Sequence, residues 1–384
     1  MPSFFEGFLS IYEDDWVGGT AFSNPQPVFA DSESLALTKN IQERSVQVSD
    51  SRVQKADTLL FRETKPQGEV NYQFRSSDIL KTLYSHFQLA TMEGTGTNPF
   101  QYGFYPKPSP LDWDKRGSFT QGAYSVSSEG QPYTVSILKK LFDTTQNGGT
   151  NAFFFKHGVC NYLRFQARVG DDAKAQASFK FVDLDAGTSV SENPNSVQVG
   201  SYATTPPFFS WAATVTIGGQ GIPVSSFVLD SNQNYQEFSR LGKLQPENFQ
   251  LSSYGLMGSF SFDLPQDAFA YVGSMFSGET FAFLATLRNG SSDQIVFDLP
   301  HCKRMPFEYK QQPTPALEAG IPFKAYESNG TYPIKVSVFT DYSFAPFNMF
   351  GDAWLGTRNV PDFELLDAAL GARTLSEYTY YGNQ

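Results

Sequence analysis

Polar and apolar residues alternate along much of the chain, and at two places the alternation gives way to a longer period. After Gly68, Val70, Tyr72 and Phe74 are apolar while Glu69, Asn71 and Gln73 are polar. After Gly258, Phe260, Phe262 and Leu264 are apolar while Ser259, Ser261 and Asp263 are polar. A period of two sends alternate side chains to opposite sides of a strand, so each segment predicts a strand with one buried face. An aspartate follows each strand, Asp78 or Asp267. Beyond it come Leu80, Leu83 and Phe87 in the first case, and Phe269, Val272 and Phe276 in the second. Steps of three and four predict a short helix whose apolar face lies back on its strand. Ser76 or Ser77 is placed to cap the first helix, and Pro265 to open the second. Two matched strand–turn–helix units point to an internal duplication, with two unrelated strand–helix corners as the competing explanation.

The rest of the pattern is mostly β. Residues 159–169 and 173–182 alternate on either side of Gly170-Asp171-Asp172, which predicts a long hairpin with one wet face. Phe281–Leu287 and Ile295–Leu299 flank Asn289-Gly290, whose composition suits a type I′ turn. A second Asn-Gly, Asn329-Gly330, precedes the alternating run Ile334–Phe339. A short helix is expected over Ser136–Phe142, an insertion loop over 186–210, and a short acidic helix within 361–379. QNGGTN at 146–151 reads as a boundary. The expected organisation is an arm plus first domain over 1–150, a second domain over 151–342 and a C-terminal arm over 343–384.

Composition narrows the function. The chain has 384 residues, with 28 Lys and Arg against 39 Asp and Glu, a net charge of −11. That balance disfavours sequence-independent capture of nucleic acid, which needs cations on the phosphates. No apolar run is long enough for a membrane helix. The opening MPSFFEGFLSIYEDDW lacks the basic start of a secretory signal. Cys160 and Cys302 are too few for a disulfide framework and are expected as free thiols. His157 with Cys160, and His301 with Cys302, have nominal zinc-ligand chemistry, but neighbours on a strand point apart. His86, on the first helix, is expected at the surface. Gly94-Thr95-Gly96 and Gly218-Gly219-Gln220-Gly221 lack the lysine and hydroxyl of a phosphate loop. No cofactor, metal or catalytic constellation is expected, and the chain reads as a non-enzyme.

An ordered set of segments in the second half carries a family resemblance. It comprises Phe209–Gly219, Val224–Asn234, Leu241–Glu247 and Tyr254–Asp263, with a fainter counterpart at Arg62-Glu63-Thr64 before Gly68. The set resembles the tail tube (major tail) proteins of long, non-contractile-tailed bacteriophages, over roughly residues 30–340. The resemblance implies a mainly β (α+β) fold of two tandem β-sandwich or half-barrel domains, each with one short helix packed on its sheet. It implies a structural virion protein, assembled in the host cytoplasm, whose rings stack into the hollow conduit for genome ejection. A duplicated subunit would close rings of three chains. Its partners would be itself, a tape-measure protein, tail terminator or tip proteins, and DNA passing without specific binding or membrane insertion.

In that setting the wet hairpins 161–182 and 281–299 are expected to pair edge to edge between subunits. Candidate intersubunit residues are Phe165, Arg168, Asp171, Asp172, Lys174 and Phe179. Candidate lumen-facing residues are Glu69, Asn71, Gln73, Ser259, Ser261 and Asp263, and an acidic lumen would repel phosphate. A carbohydrate- or receptor-binding β-sandwich of a virion is the alternative, and a polysaccharide-degrading enzyme on a duplicated β scaffold a third reading.

Overall fold

A computed structural model describes residues 7–14, 23–28, 30–43, 59–93, 99–106, 134–142, 150–186, 206–209, 213–239, 246, 248–250, 252–263, 280–290, 292–305, 318–328 and 332–341. The first half contributes β1 (Gly7–Asp14), β2 (Ser23–Val28), β3 (Ala30–Glu33), β4 (Ala36–Glu43), β5 (Leu59–Gln73), α1 (Ser76–Phe87), β6 (Gln88–Glu93), β7 (Phe100–Pro106) and β8 (Thr134–Phe142). Next come β9 (Thr150–Arg168), β10 (Lys174–Lys180), β11 (Asp183–Ala186), β12 (Ala213–Ile217), β13 (Gln220–Gly221), β14 (Ser226–Asn232), β15 (Gln236–Phe238) and β16 (Asn248–Gln250). The last are β17 (Gly255–Asp263), β18 (Phe281–Asn289), β19 (Asp293–Arg304), β20 (Glu318–Ala325) and β21 (Lys335–Thr340). The fold is mainly β, with α1 the one helix among the described residues.

Strand β9 belongs to two layers. Its first part lies between β8 and β11, and β8 continues to β1 and β2. Its second part lies between β10 and β14. The change comes at His157, which sits at φ 54 where two residues of β9 bulge against β8. A bulge bends its strand, and here it redirects β9 from one layer to the next. The main layer runs β5, β10, β9, β14, β17, β20, with β3 and β4 sharing the outer edge of β5. Beyond β20 lies the end of β19, whose earlier residues pair with β18 on one side and β21 on the other. β12 extends from β18, and β7 then β6 from β21. The pairs β5–β10 and β7–β21 cross the expected boundary at residue 150, so both halves of the sequence share one sheet.

The first strand–helix unit has the expected parity: Val70, Tyr72 and Phe74 are buried, as are Leu80, Leu83 and Phe87. Among its described side chains, however, the helix has no wet side. Asp78, Lys81, Thr82, Ser85 and His86 are buried too, because β2, β6, β7, β8 and β21 pack around the helix in addition to β9. Capping also differs from expectation. Arg75 is the N-cap residue and makes no side-chain cap hydrogen bond. The Ser76 hydroxyl instead donates to the Asp293 carboxylate at 2.7 Å, a charge-assisted bond that ties the helix start to β19. The second helix, 268–276, lies outside the described residues, as do most of 186–210, Asn329-Gly330 and 361–379.

Two further expectations change. Residues 136–142 form strand β8 and not a helix. Val135, Ser136, Ile137 and Leu138 are all buried, and a strand covered on both faces loses the alternation that would mark it. In the β18–β19 hairpin, Asn289 is still paired with Asp293, so the loop is longer than a two-residue type I′ turn. Only Gly290 has a positive φ among the loop residues described, while the Asn289 amide donates to the Pro206 carbonyl.

Phenylalanines fill the interior. Phe165 lies 4.8 Å from Phe297 and 5.2 Å from Phe74, centroid to centroid, while Phe260, Phe283 and Phe323 form a second group of rings. The two repeat glycines sit where the chain is crowded. A Cβ on Gly68 would meet the backbone of Leu35 at 2.6 Å, where the β3–β4 connection crosses over β5. A Cβ on Gly258 would stand 2.3 Å from the Phe323 ring. We therefore expect Gly258→Ala to lower stability by about 1–3 kcal/mol in urea unfolding, as overpacking does. Gly255→Ala, with nothing within 4 Å of the added carbon, should stay within about 0.5 kcal/mol of the parent.

Candidate assembly surface

The register across the main layer aligns its outward side chains in rows. One row is Gln73, Lys174, Gln166, Val228, Ser259 and Pro322, on β5, β10, β9, β14, β17 and β20. The next is Asn71, Gln176, Arg164, Asp230, Met257 and Lys324, and it ends on Lys303 of β19. A third begins Glu69, Ser178, Tyr162, Asn232, Gly255. Ser261 pairs with Ser226, and Ser226 with Arg168. The residues singled out after Gly68 and after Gly258 thus lie on one face of one sheet, brought there by the strands between them. Asp263 ends β17, and its side chain lies outside the described residues.

This face is polar and knitted together. Gln176 donates to Glu69 at 2.8 Å, and Asn71 to Ser32 at 3.1 Å. Asp230 accepts from the Tyr162 hydroxyl and stands 3.7 Å from Arg164. Burial, and then the neighbouring Asp230, push the Tyr162 phenol up to about 12, so it stays a donor. At one end the β15–β16 ribbon is strapped down through Glu237, 2.7 Å from Lys65 and 3.3 Å from Lys180. Burial alone would raise the Glu237 carboxyl, but the two lysines outweigh it and hold it below its ordinary value. The face is not acidic. Among its described side chains Arg164, Arg168, Lys174, Lys303 and Lys324 outnumber Glu69 and Asp230, so phosphate repulsion does not follow from this surface.

The hairpin residues divide. Arg168, Asp171 and Lys174 are exposed, and Asp172 is half-buried and bridged to Phe209. Phe165 and Phe179 are 2% and 0% exposed, inside the chain's own core. Their parity sends them inward with Leu163 and Ala177. Nor do the two wet hairpins offer edges: β9, β10, β18 and β19 each have strands on both sides. Among the described residues, β4 and β6 are long strands paired on one side only.

Sequence reasoning missed the polar node beneath this sheet. His86 is fully buried, with Nδ1 3.0 Å from the Cys160 carbonyl and Nε2 2.7 Å from the Ser231 hydroxyl. A carbonyl only accepts, so Nδ1 carries the proton, and Nε2 accepts from Ser231. The Tyr254 hydroxyl, 3.0 Å from Ser231, then donates to it. Gln233 donates to the His86 carbonyl, and the Cys160 amide to the Ser85 hydroxyl at 3.0 Å. The available hint was the scarcity of charge: from Ser76 to Phe87 only Asp78 and Lys81 are charged, too few for a water-facing side. Burial also pushes the Cys302 thiol up to about 12 and the Cys160 thiol well above its usual range, which keeps both protonated. Among the described residues no three His, Cys, Asp or Glu side chains gather as metal ligands. No family model matches the chain, and no curated protein matches it.

Burial lowers His86 to about 3, so the folded state keeps it neutral where an unfolded chain protonates it near 6.5. Between those values the unfolded state binds one proton more, so this residue makes stability fall as pH falls, by about 1.4 kcal/mol per unit. Above about 6.5 it contributes no slope. The stability advantage of the wild type over His86→Gln should therefore shrink by roughly 2–3 kcal/mol between pH 6.5 and 4, read from urea midpoints.

Proposed function

We propose that the chain is a structural subunit of a non-contractile phage tail tube, built to close into rings that stack around a conduit. The observation that carries this reading is the continuous main layer. Residues from both halves make one polar face, and the strand at its end, β4, has a neighbour on one side only among the described residues. An unpaired edge is an aggregation risk in a monomer and is removed when a ring closes. The apolar face is occupied by the chain's own helix and phenylalanines, which leaves polar rows and edges for neighbours.

The reading includes tandem tube-like domains, rings of three chains, contacts with tape-measure and terminator or tip proteins, and DNA in transit. With cations prominent on the main face, transit without adhesion requires that face to point away from the lumen or to be covered by neighbours.

Negative-stain imaging of the purified chain should show stacked rings with a pore wide enough for a duplex. Monodisperse particles that bind glycans would overturn the proposal in favour of a sugar-binding sandwich. Variants sharpen the test. Phe165→Asp should fail to fold, at a cost above about 3 kcal/mol, because it buries an unpaired charge. Arg168→Glu with Lys174→Glu should leave the melting transition within a few degrees of the parent and change only assembly.

A further inference from the structure

The far end of the polar face breaks its own pattern. Met257 is 52% exposed and Met305 37%, two of the four large apolar side chains that stand out among the described residues. They flank β20: Met257 pairs with Lys324, and the Met305 amide donates to the Pro322 carbonyl. All share the outward face with Lys303, which pairs with Lys324. Strand spacing puts the two methionines about 10–12 Å apart. Lys303 and Lys324 are exposed, and among the described residues neither is in an ion pair. The result is a small, adaptable apolar patch with two cations in its midst.

The chain carries a sequence of the opposite character. The described structure ends at Asp341, and residues 361–370, outside it, read Pro-Asp-Phe-Glu-Leu-Leu-Asp-Ala-Ala-Leu. At helical spacing Phe363, Leu366 and Leu370 share a face, with Glu364 and Asp367 beside it. Phe363 and Leu370 would lie about 10 Å apart along such a helix, close to the spacing of the methionines. Asp362, Glu364 and Asp367 are its charged residues, all acidic. Reach is sufficient. Asp341 is held at the Ser292 hydroxyl, at the other end of β19, about 40 Å from Met305. The roughly 20 residues from Asp341 to Phe363 extend to about 70 Å.

We propose that residues 361–370 dock as an amphipathic helix on the Met257–Met305 patch of the same chain, with the acidic side chains on Lys303 and Lys324. The arm covers the outer end of the sheet before the chain meets a neighbour. This inference stands apart from the tube reading, since it concerns the isolated chain.

Methionine oxidation tests it. Full-length chains, kept monomeric by dilution and checked by light scattering, are treated with hydrogen peroxide, and sulfoxide at Met257 and Met305 is followed by peptide mass spectrometry. Phe363→Asp with Leu366→Asp and Leu370→Asp should speed oxidation at both sites about tenfold. Lys303→Glu with Lys324→Glu should do the same, since two to three exposed ion pairs at up to about 1 kcal/mol each correspond to that factor. Adding Asp362→Lys, Glu364→Lys and Asp367→Lys to the lysine variant should restore protection. Equal rates in the wild type and the Phe363/Leu366/Leu370 variant would overturn the proposal, as would protection that disappears on dilution, which would assign the arm to a second copy. Tube formation is read separately by imaging, so either conclusion can fail without the other.

Discussion

A helix whose described side chains are all buried imposes one demand on the whole chain: each of those that is polar needs a partner in the strands around it. An unmatched buried donor or acceptor costs about 1–3 kcal/mol, a large share of a typical domain's stability. Around α1 much of that demand is met by distant parts of the sequence. Asp293 receives the Ser76 hydroxyl, which lies 3.1 Å from that of Thr340, the Ile11 carbonyl receives Lys81, the Cys160 carbonyl and Ser231 hold His86, and Gln233 donates to the His86 carbonyl. The strands are thereby placed by specific bonds as well as by apolar burial.

Enclosure also decides what the protein can offer others. With the helix and the phenylalanine rings filling the interior, the inward faces of β5, β9, β10 and β14 are spent within the chain. What remains outward is a knitted polar face, a few apolar side chains and the strand edges. Recognition by such a surface depends on charge pairing and backbone hydrogen bonding, which give specificity and register more readily than bulk affinity.

The parts of the fold that could be read from sequence are those where one side is wet. β5, β10, β14 and β17 alternate because water lies on one side, so Val70, Tyr72, Phe227 and Phe260 announced their inward direction. Where both sides are covered the pattern vanishes. Strand β8 read as helix for that reason, and His86 read as a surface residue because a helix is ordinarily wet on one side. The apolar set of α1 was correct, but nothing local reveals that β2, β6, β7, β8 and β21 return to pack around its other sides. Likewise the two sets of polar residues were legible as outward, while their union on one sheet depends on the registers of β10, β9 and β14, which are non-local. Phe165 and Phe179 were assigned to a neighbour because a wet hairpin invites that reading, though their parity already pointed inward.

The 19-residue strand β9 serves two layers at once, turning between them at His157. A strand that is common property cannot be peeled from one layer while the other keeps its hydrogen bonds, for each sheet clamps the other's hinge. Amide protons on both arms of β9 should therefore exchange through the same rare opening, and mechanical load entering either layer would be delivered to the second along a single covalent backbone. Were a neighbour to pull on either margin, that shared strand would make the two layers yield together or not at all.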